Sequence, residues 1–317
     1  MPDEQTIFYH YTSVEALYNI VKTRTFWLAN AKSSNDKTEG NFSLEEFETL
    51  LKDAYEKNGN SNEILKKIID SPIDEEETKD LSYFILCLSS KRDNLSHWER
   101  YASNKIGICI SINRNILSKC NNFFNFLYGD FFKIFNVYYD KQSLMEREFN
   151  KLKLISFDDD IKKRISDIAS SDEWCGSSLK TSLFTTLKKA VKNECFSDEN
   201  ELRVLVENEG ASWLRSIKPA TVNLNSNLKF DLNFDSDKKA CLEMLDSLDI
   251  EQTYFAPIRG EIRSLHHLNL RKIWGSDLIP EIMLGPNCPQ GVDELRAFLD
   301  ANGLRGTKIT ESKIPIR

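Results

Sequence analysis

The chain has 317 residues and a formal net charge of −7, with 40% hydrophobic and 29% charged residues, a balance typical of a globular protein that buries a sizeable core. The acidic charge argues against broad electrostatic binding to nucleic acid. The sequence contains no run of 18 apolar residues, so no membrane span is predicted. Seven cysteines without a CxxC pair favour neither a zinc site nor a disulfide framework, so we expect a reducing, cytoplasmic setting.

The first predicted elements are a short strand at 7–12 and a helix at 14–21. Side chains alternate in the strand, and apolar residues then recur at helical spacing. Thr12 followed by Glu15 has the form of a capping box, which predicts that the helix begins there. His10 and Thr12 share one strand face at the mouth of this turn, where a helix N-terminus attracts anions. From the spacing alone, a satisfied histidine on a half-buried strand is the more ordinary interpretation.

Further strands are predicted along the chain, separated by two polar and mostly helical stretches. The strands lie near 25–29, 83–88, 106–112, 202–206, 282–286 and 307–311, with a helix at about 291–301 before the last strand. The helical stretches are at about 42–80 and 140–195. We therefore predict a single α+β domain spanning 1–317, with a split, mainly antiparallel sheet and helical insertions. A continuous parallel, doubly wound sheet would contradict this prediction.

Two polar elements stand at strand ends. Ser89-Ser90 closes the strand at 83–88, and Glu199-Asn200-Glu201 opens the strand at 202–206. Carboxylates at positions i and i+2 of a strand point to the same face, so Glu199 and Glu201 could line one cleft. The ordinary alternative is an exposed strand edge on which these residues pair with Arg203.

Five segments, in this order, resemble a bacterial family catalogued as domain of unknown function 2971. They are Tyr9 to Ser13, the Asn35-Asp36 to Glu39 loop, Cys87-Leu88-Ser89 followed by Trp98 and Tyr101, Glu199 to Arg203, and the tail from Gly285-Pro286 to Arg317. The resemblance spans nearly the whole chain and names a family without assigning a reaction.

Three of these elements also resemble, in the same order, the motifs of ADP-ribosyltransferases of the DNA-modifying toxin type. They are the opening Tyr-His-x-Thr, the serine after the buried strand, and the Glu-x-Glu element. The resemblance implies an ADP-ribosyltransferase-like split sheet, and NAD as substrate without a metal. It implies that Glu201 stabilises the oxocarbenium ion that forms at the ribose and that Glu199 orients the acceptor. It assigns NAD binding to His10, Tyr11, Thr12 and Ser89, with Trp98 or Tyr101 stacking on a planar ring.

The resemblance further implies transfer of ADP-ribose to a macromolecule, nucleic acid or protein, or to water. By analogy the protein would be a toxin or anti-phage effector with an antitoxin or defence-system partner. Separately, we expect no membrane partner, because no apolar run is long enough to span one. The transferase hypothesis requires His10 and Glu201 to line one cleft, with side chains within about 10 Å; placement on opposite faces of the sheet would contradict it.

Two other classes of function stay open. One is a non-catalytic module that binds a nucleotide or a protein. The other is a metal-dependent nuclease or phosphohydrolase. Its ligands would be His10, Asp36, Glu39, Glu199 and Glu201.

Overall fold

The computed structural model describes residues 5–34, 36, 40, 42–57, 63–73, 83–117, 132–157, 172–207, 254–258, 260–271 and 273–315. The strands are β1 (Ile7–Thr12), β2 (Thr25–Asn30), β3 (Tyr83–Ser89), β4 (Ile108–Asn113), β5 (Phe132–Asn136), β6 (Glu201–Glu207), β7 (Tyr254–Ile258), β8 (Glu261–Asn269), β9 (Glu281–Leu284) and β10 (Lys308–Glu311). The helices are α1 (Val14–Thr23), α2 (Leu44–Lys57), α3 (Glu63–Asp70), α4 (Leu95–Tyr101), α5 (Lys141–Phe157), α6 (Asp172–Ala190) and α7 (Val292–Ala301). Within these ranges, no helix is long and apolar enough to cross a membrane.

The ten described strands form one mixed sheet that is mostly antiparallel. Its main path is β10-β9-β4-β1-β3-β2-β8-β7, and β6 joins β3 to β5 beside this path. Among the described pairs, β9 with β10 is the parallel one. The prediction of a mixed α and β fold with a mainly antiparallel sheet is therefore confirmed.

The sheet forks at β3. Strand β6 pairs with the whole of β3, from Tyr83 to Ser89. Because a strand has only two edges, β1 and β2 must share the other edge of β3. They do so at different heights, since β1 pairs at Ser89 and β2 pairs at Ile85 and Phe84. A gap therefore opens between β1 and β2 at the level of Cys87.

The central strands have two distinct faces. One, here called the core face, packs under α1 and α7 in the main apolar cluster, to which β4 contributes Ile108, Ile110 and Ile112. The other, here called the α4 face, packs Tyr11, Cys109 and Met283 against Trp98 and Ala102. Burial of both faces explains why β3 and β4 are mostly apolar.

Two local predictions are wrong by one or two residues, for identifiable reasons. Helix α1 is capped by Ser13, whose Oγ accepts from the Ala16 backbone N–H at 3.1 Å, and not by Thr12. Thr12 is still in β1, where it pairs with Ile108. Strand β4 begins at Ile108 because the residues after α4 form a turn, closed by the Gly107 N–H on the Ala102 carbonyl at 2.9 Å.

The chain divides into two compact units. Unit 1 comprises residues 1–33, 82–136 and 199–317 and contains the sheet with α1, α4 and α7. Unit 2 comprises residues 34–81 and 137–198, which include the two predicted helical insertions, and contains α2, α3, α5 and α6. In unit 2, α2 contacts α5 and α3 contacts α6.

Candidate carboxylate site

A row of three side chains crosses the α4 face of unit 1. Tyr9 of β1 is the cross-strand partner of Ser89, and Ser89 is the partner of Glu201. Directly paired residues in antiparallel strands project to the same face, so these three lie side by side. The serine and the glutamate were predicted from sequence; the tyrosine was not.

His10 and Thr12 lie on the opposite face from Glu201, so the expectation that His10 and Glu201 line one cleft is wrong. The partners of His10 and Thr12 on β4 are Ile110 and Ile108, which belong to the core face. The residue after Glu201, Leu202, also belongs to the core face, so Glu201 itself points the other way. This placement contradicts the transferase hypothesis in the form given above, which required His10 and Glu201 to line one cleft.

His10 has a different role, in the gap where β3 forks. Its Nδ1 lies 3.2 Å from the carbonyl oxygen of Cys87, and its ring meets Phe26 edge-on at 5.7 Å. A carbonyl oxygen only accepts, so Nδ1 carries the hydrogen. Desolvation lowers the pKa of His10, and the contact with Cys87 acts in the opposite direction. A neutral histidine thus replaces the strand partner that β3 lacks at this height.

Glu201 is buried in an ion pair with Arg203. The Arg203 Nε lies 2.6 Å from Glu201 Oε1, and Nη2 lies 3.4 Å from Oε2. The Glu201 side chain is 3% exposed and that of Arg203 is 0% exposed. Pairing with Arg203 therefore occurs, but in the interior of the sheet between β3 and β5 and not on an exposed edge.

Glu199 also lies near Ser89 and Glu201, but not as the residue two positions before Glu201 on the same strand, as predicted. It ends a short 3-10 helix, Glu194–Glu199, and Asn200 has a left-handed φ of 42°, so strand alternation does not relate Glu199 to Glu201. Its carboxylate accepts a short hydrogen bond from the Tyr101 hydroxyl. Its carbonyl oxygen accepts from Ser89 Oγ at 2.7 Å and lies 3.3 Å from His97 Nε2.

We call this group the carboxylate site; it comprises Ser89, His97, Tyr101, Glu199, Glu201 and Arg203. Ser89 acts as a positioning residue, since its hydroxyl also accepts the Lys91 backbone N–H at 3.1 Å. The cap of α4 at Asn94 sets the helix against the sheet, because its side chain accepts the His97 backbone N–H at 3.2 Å. Short-range capping in sequence thereby delivers His97 and Tyr101 to Glu199.

Trp98 and Tyr11 are core residues, which does not fit the expectation that they contact a cofactor. Trp98 is 0% exposed, meets Tyr11 edge-on at 4.9 Å and donates from Nε1 to Asp93. The Tyr11 hydroxyl donates to the Lys91 carbonyl and accepts from the Asn94 N–H. Burial raises the pKa of the Tyr11 hydroxyl far above its ordinary range.

A second polar network, missed from sequence, borders the row through Tyr9. Arg92 donates twice to Glu281, at 3.1 and 2.7 Å, and the same carboxylate accepts from Thr310 Oγ1 at 2.8 Å. The hydrogen bonds from Arg92 lower the pKa of Glu281. Burial raises the pKa of half-buried Tyr9, and the Arg92 charge partly offsets this. Residues nearly 190 positions apart form this network, so no sequence pattern reveals it.

The alternative metal site is not assembled from the residues named for it. His10 and Glu201 lie on opposite faces of the sheet and so cannot share one ion. Glu39 lies outside the described residues, and Asp36 is buried. In the described part of the chain, no three His, Cys, Asp or Glu side chains are grouped as a metal site would require.

Comparison with known proteins gives one match. No curated protein and no solved structure matches the chain. Residues 97–204, from His97 of α4 to Val204 of β6, match a family model described as a protein of unknown function, DUF2971. The matched segment contains every residue of the carboxylate site except Ser89, and it supports the family resemblance that the sequence predicts.

Proposed function

We propose that the protein is an ADP-ribosyltransferase-like enzyme that cleaves the nicotinamide–ribose bond of NAD and transfers ADP-ribose to a macromolecule or to water. The observation that carries the proposal is the pairing of β3 with β6, the strands at whose ends the serine and Glu-x-Glu motifs of that resemblance lie. Cross-strand pairing aligns Ser89 with Glu201, and α4 brings Tyr101 to Glu199. We drop the requirement that His10 and Glu201 line one cleft, which the fold contradicts, and with it the NAD-binding roles of His10, Thr12, Tyr11 and Trp98.

Glu201 is the proposed electrostatic catalyst. When the bond from the ribose C1′ to the nicotinamide nitrogen breaks, its electron pair leaves with nicotinamide and positive charge develops at the ribose. A fixed carboxylate stabilises that charge more in the transition state than in the ground state. Arg203 fixes the carboxylate through hydrogen bonds to both of its oxygens, at 2.6 Å to Oε1 and 3.4 Å to Oε2.

Glu199 is the proposed acceptor-side group. Its carboxylate would orient the attacking hydroxyl or amine, which loses its proton to solvent as the new bond to C1′ forms. The hydrogen bonds from Ser89 and Tyr101 hold the backbone and the carboxylate of Glu199 respectively. Tyr9 is half-buried on the same face, next to Ser89.

A second candidate function is a non-catalytic module that binds a nucleotide or a protein. The observation in its favour is that both carboxylates already have partners within the fold, Glu199 with Tyr101 and Glu201 with Arg203. This candidate predicts binding of NAD or another ligand without release of nicotinamide. An acceptor in nucleic acid or protein, a cytoplasmic role as toxin or anti-phage effector, and a defence-system partner rest on the family analogy alone.

The experiment compares nicotinamide release from NAD by the wild type, Glu201→Gln and Glu311→Gln. Gln keeps the size of the side chain but removes the charge, so we expect Glu201→Gln to lower the rate by about 10²–10³. Glu311 is exposed on β10, and the same substitution there should leave the rate unchanged. Thermal unfolding of each variant shows whether the buried pair with Arg203 was needed for folding.

Glu199→Gln separates the two carboxylates. It should impair transfer to an acceptor and spare hydrolysis of NAD by water, because water needs less help in orientation. No nicotinamide release by the folded wild type, or equal release by the wild type and Glu201→Gln, would contradict the proposed enzyme. NAD binding without turnover would favour the binding module.

A further inference from the structure

Three aromatic side chains of unit 1 form a stack across neighbouring strands of the sheet. They are Trp27 of β2, His267 of β8 and Tyr254 of β7. The His267 ring is parallel to that of Trp27 within 7°, with centroids 6.2 Å apart, and parallel to that of Tyr254 within 6°, with centroids 3.8 Å apart. The order of the rings follows the order of the strands, since β8 lies between β2 and β7.

Strand register places Trp27 on the same face of the sheet as Glu201. Ala29, two residues after Trp27, is the cross-strand partner of Ile85 on β3. Ser89 lies four residues after Ile85 on the same strand and is the partner of Glu201. Residues separated by an even number of positions on a strand share a face, and so do direct partners. The stack of rings and the carboxylate site therefore belong to one surface.

The indole of Trp27 has one ring face toward His267 and the other toward β3. Strand β2 lies between β8 and β3, and His267 of β8 occupies one side of the indole. Continued by two residues, the register of β2 on β3 brings Trp27 level with Cys87, at the gap where β3 forks. Trp27 is 46% exposed, and Cys87 is exposed although β3 is a central strand. The second face of the indole is therefore open to solvent beside the Cys87 side chain.

This open position suits a flat ring that carries hydroxyl groups on one side. Aromatic side chains stack on heteroaromatic rings whichever base is presented. Ser89 follows Cys87 by two residues, about 7 Å along the strand, and Glu201 is the partner of Ser89. A ribose attached to a base on Trp27 thus extends toward carboxylates, which accept hydrogen bonds from hydroxyl groups. Base and ribose together make a nucleoside.

We propose that Trp27 is the stacking residue of a nucleoside site, with the base beside Cys87 and the ribose at the carboxylate site. The ligand is a small molecule, because the net charge of −7 disfavours the phosphates of a nucleic acid strand. The inference rests on the proposed function in taking NAD as the source of the nucleoside, and the stacking itself needs no cleavage of NAD. Trp27 thereby takes the role of ring contact that the sequence predicted for Trp98 or Tyr101.

Alkylation of Cys87 by N-ethylmaleimide, followed by mass spectrometry of its peptide, reports whether the position beside Trp27 is occupied. We expect NAD, and at least one of adenosine and nicotinamide riboside, to slow the alkylation, because each combines a flat base with a ribose. Ribose 5-phosphate has no base and should not slow it. Cys195, exposed in unit 2, is the internal reference, and its alkylation should not change.

Trp27→Ala should raise the NAD concentration that half-protects Cys87 by about tenfold or more, since one stacking contact is lost. Trp27→Phe keeps a flat ring and should restore most of the affinity. Phe255→Ala is the matched control, because Phe255 is 70% exposed on β7 and, as the neighbour of Tyr254, lies on the opposite face. It should leave the protection unchanged, and all three variants should unfold at temperatures close to the wild type.

Failure of both nucleosides to slow the alkylation, equal half-protection of the wild type and Trp27→Ala, or an equal loss in Phe255→Ala would overturn the inference. Protection by an oligodeoxyadenylate at concentrations where NAD gives none would also overturn it, because the ligand would then be a strand. Nicotinamide release separates this inference from the proposed enzyme. Protection without release contradicts the transferase and leaves the nucleoside site, whereas release by Trp27→Ala at the wild-type KM contradicts the site and leaves the transferase.

Discussion

His10 illustrates how little a single residue type says about its role. A histidine in a Tyr-His-x-Thr opening resembles a nucleotide ligand, yet here its ring nitrogen satisfies a carbonyl of β3. The alternation in β1 predicts correctly that His10 and Thr12 share a face. It does not predict which face that is, because aromatic and polar residues occupy both sets of positions. Pairing with Ile108 and Ile110, which are nearly 100 residues away in sequence, determines that His10 and Thr12 lie on the core face.

Replacing His10 with Phe should therefore reduce stability and leave NAD turnover unchanged. The ring is kept while the donor to the Cys87 carbonyl is lost, which costs about 1 kcal/mol. The pKa of His10 is lowered in the native state. As the pH falls below about 6.5, the imidazole of the unfolded chain is therefore protonated before that of the native protein, and the free energy of unfolding falls. Urea unfolding at pH 8 and pH 5.5 should show a smaller difference between wild type and variant at the lower pH.

Elements were predicted better than their mutual arrangement. The apolar runs of β3 and β6 are local signals, and each strand formed where its signal lies. Glu199 shows the limit of local reasoning, since the left-handed Asn200 removes it from the strand. It still lies near Glu201, because Ser89 and Tyr101 hold it from other elements. Such contacts depend on tertiary packing that sequence spacing does not encode.

The turn between α4 and β4 should tolerate no side chain at Gly107. A Cβ there would lie 2.2 Å from the Thr12 carbonyl oxygen and 2.8 Å from that of Ala102. Gly107→Ala must therefore push β1 away from the turn, and we expect a loss of about 1–3 kcal/mol in the free energy of unfolding. Gly275→Ala is the control, because a Cβ at that position would have no neighbour within 4 Å. Equal unfolding midpoints in urea for the two variants would show that the turn can open at no cost.

At the scale of the whole molecule, composition predicted one domain with insertions but not that the insertions assemble together. The polar helical stretches are separated in sequence by β3, α4, β4 and β5, yet they form a single compact unit. Apolar residues scattered in both stretches explain this association, since Phe42, Phe47 and Phe184 pack against one another. Aromatic clustering between distant segments is visible only once the chain is folded.

Lys180 provides a test of how independent the two units are. It is buried in α6, where its ammonium pairs with Glu48 of α2 at 2.6 Å and donates to the carbonyls of Ile69 and Ser71 at 2.6 and 2.9 Å. Lys180→Met keeps the apolar stem but leaves a partly buried carboxylate and two carbonyls without their donor, a loss of roughly 3–5 kcal/mol. If each unit unfolds on its own core, hydrogen exchange should accelerate in α2, α3 and α6 while the amides of β1, β3 and β6 keep their protection. Equal acceleration in the sheet would show instead that the whole chain unfolds as one cooperative body.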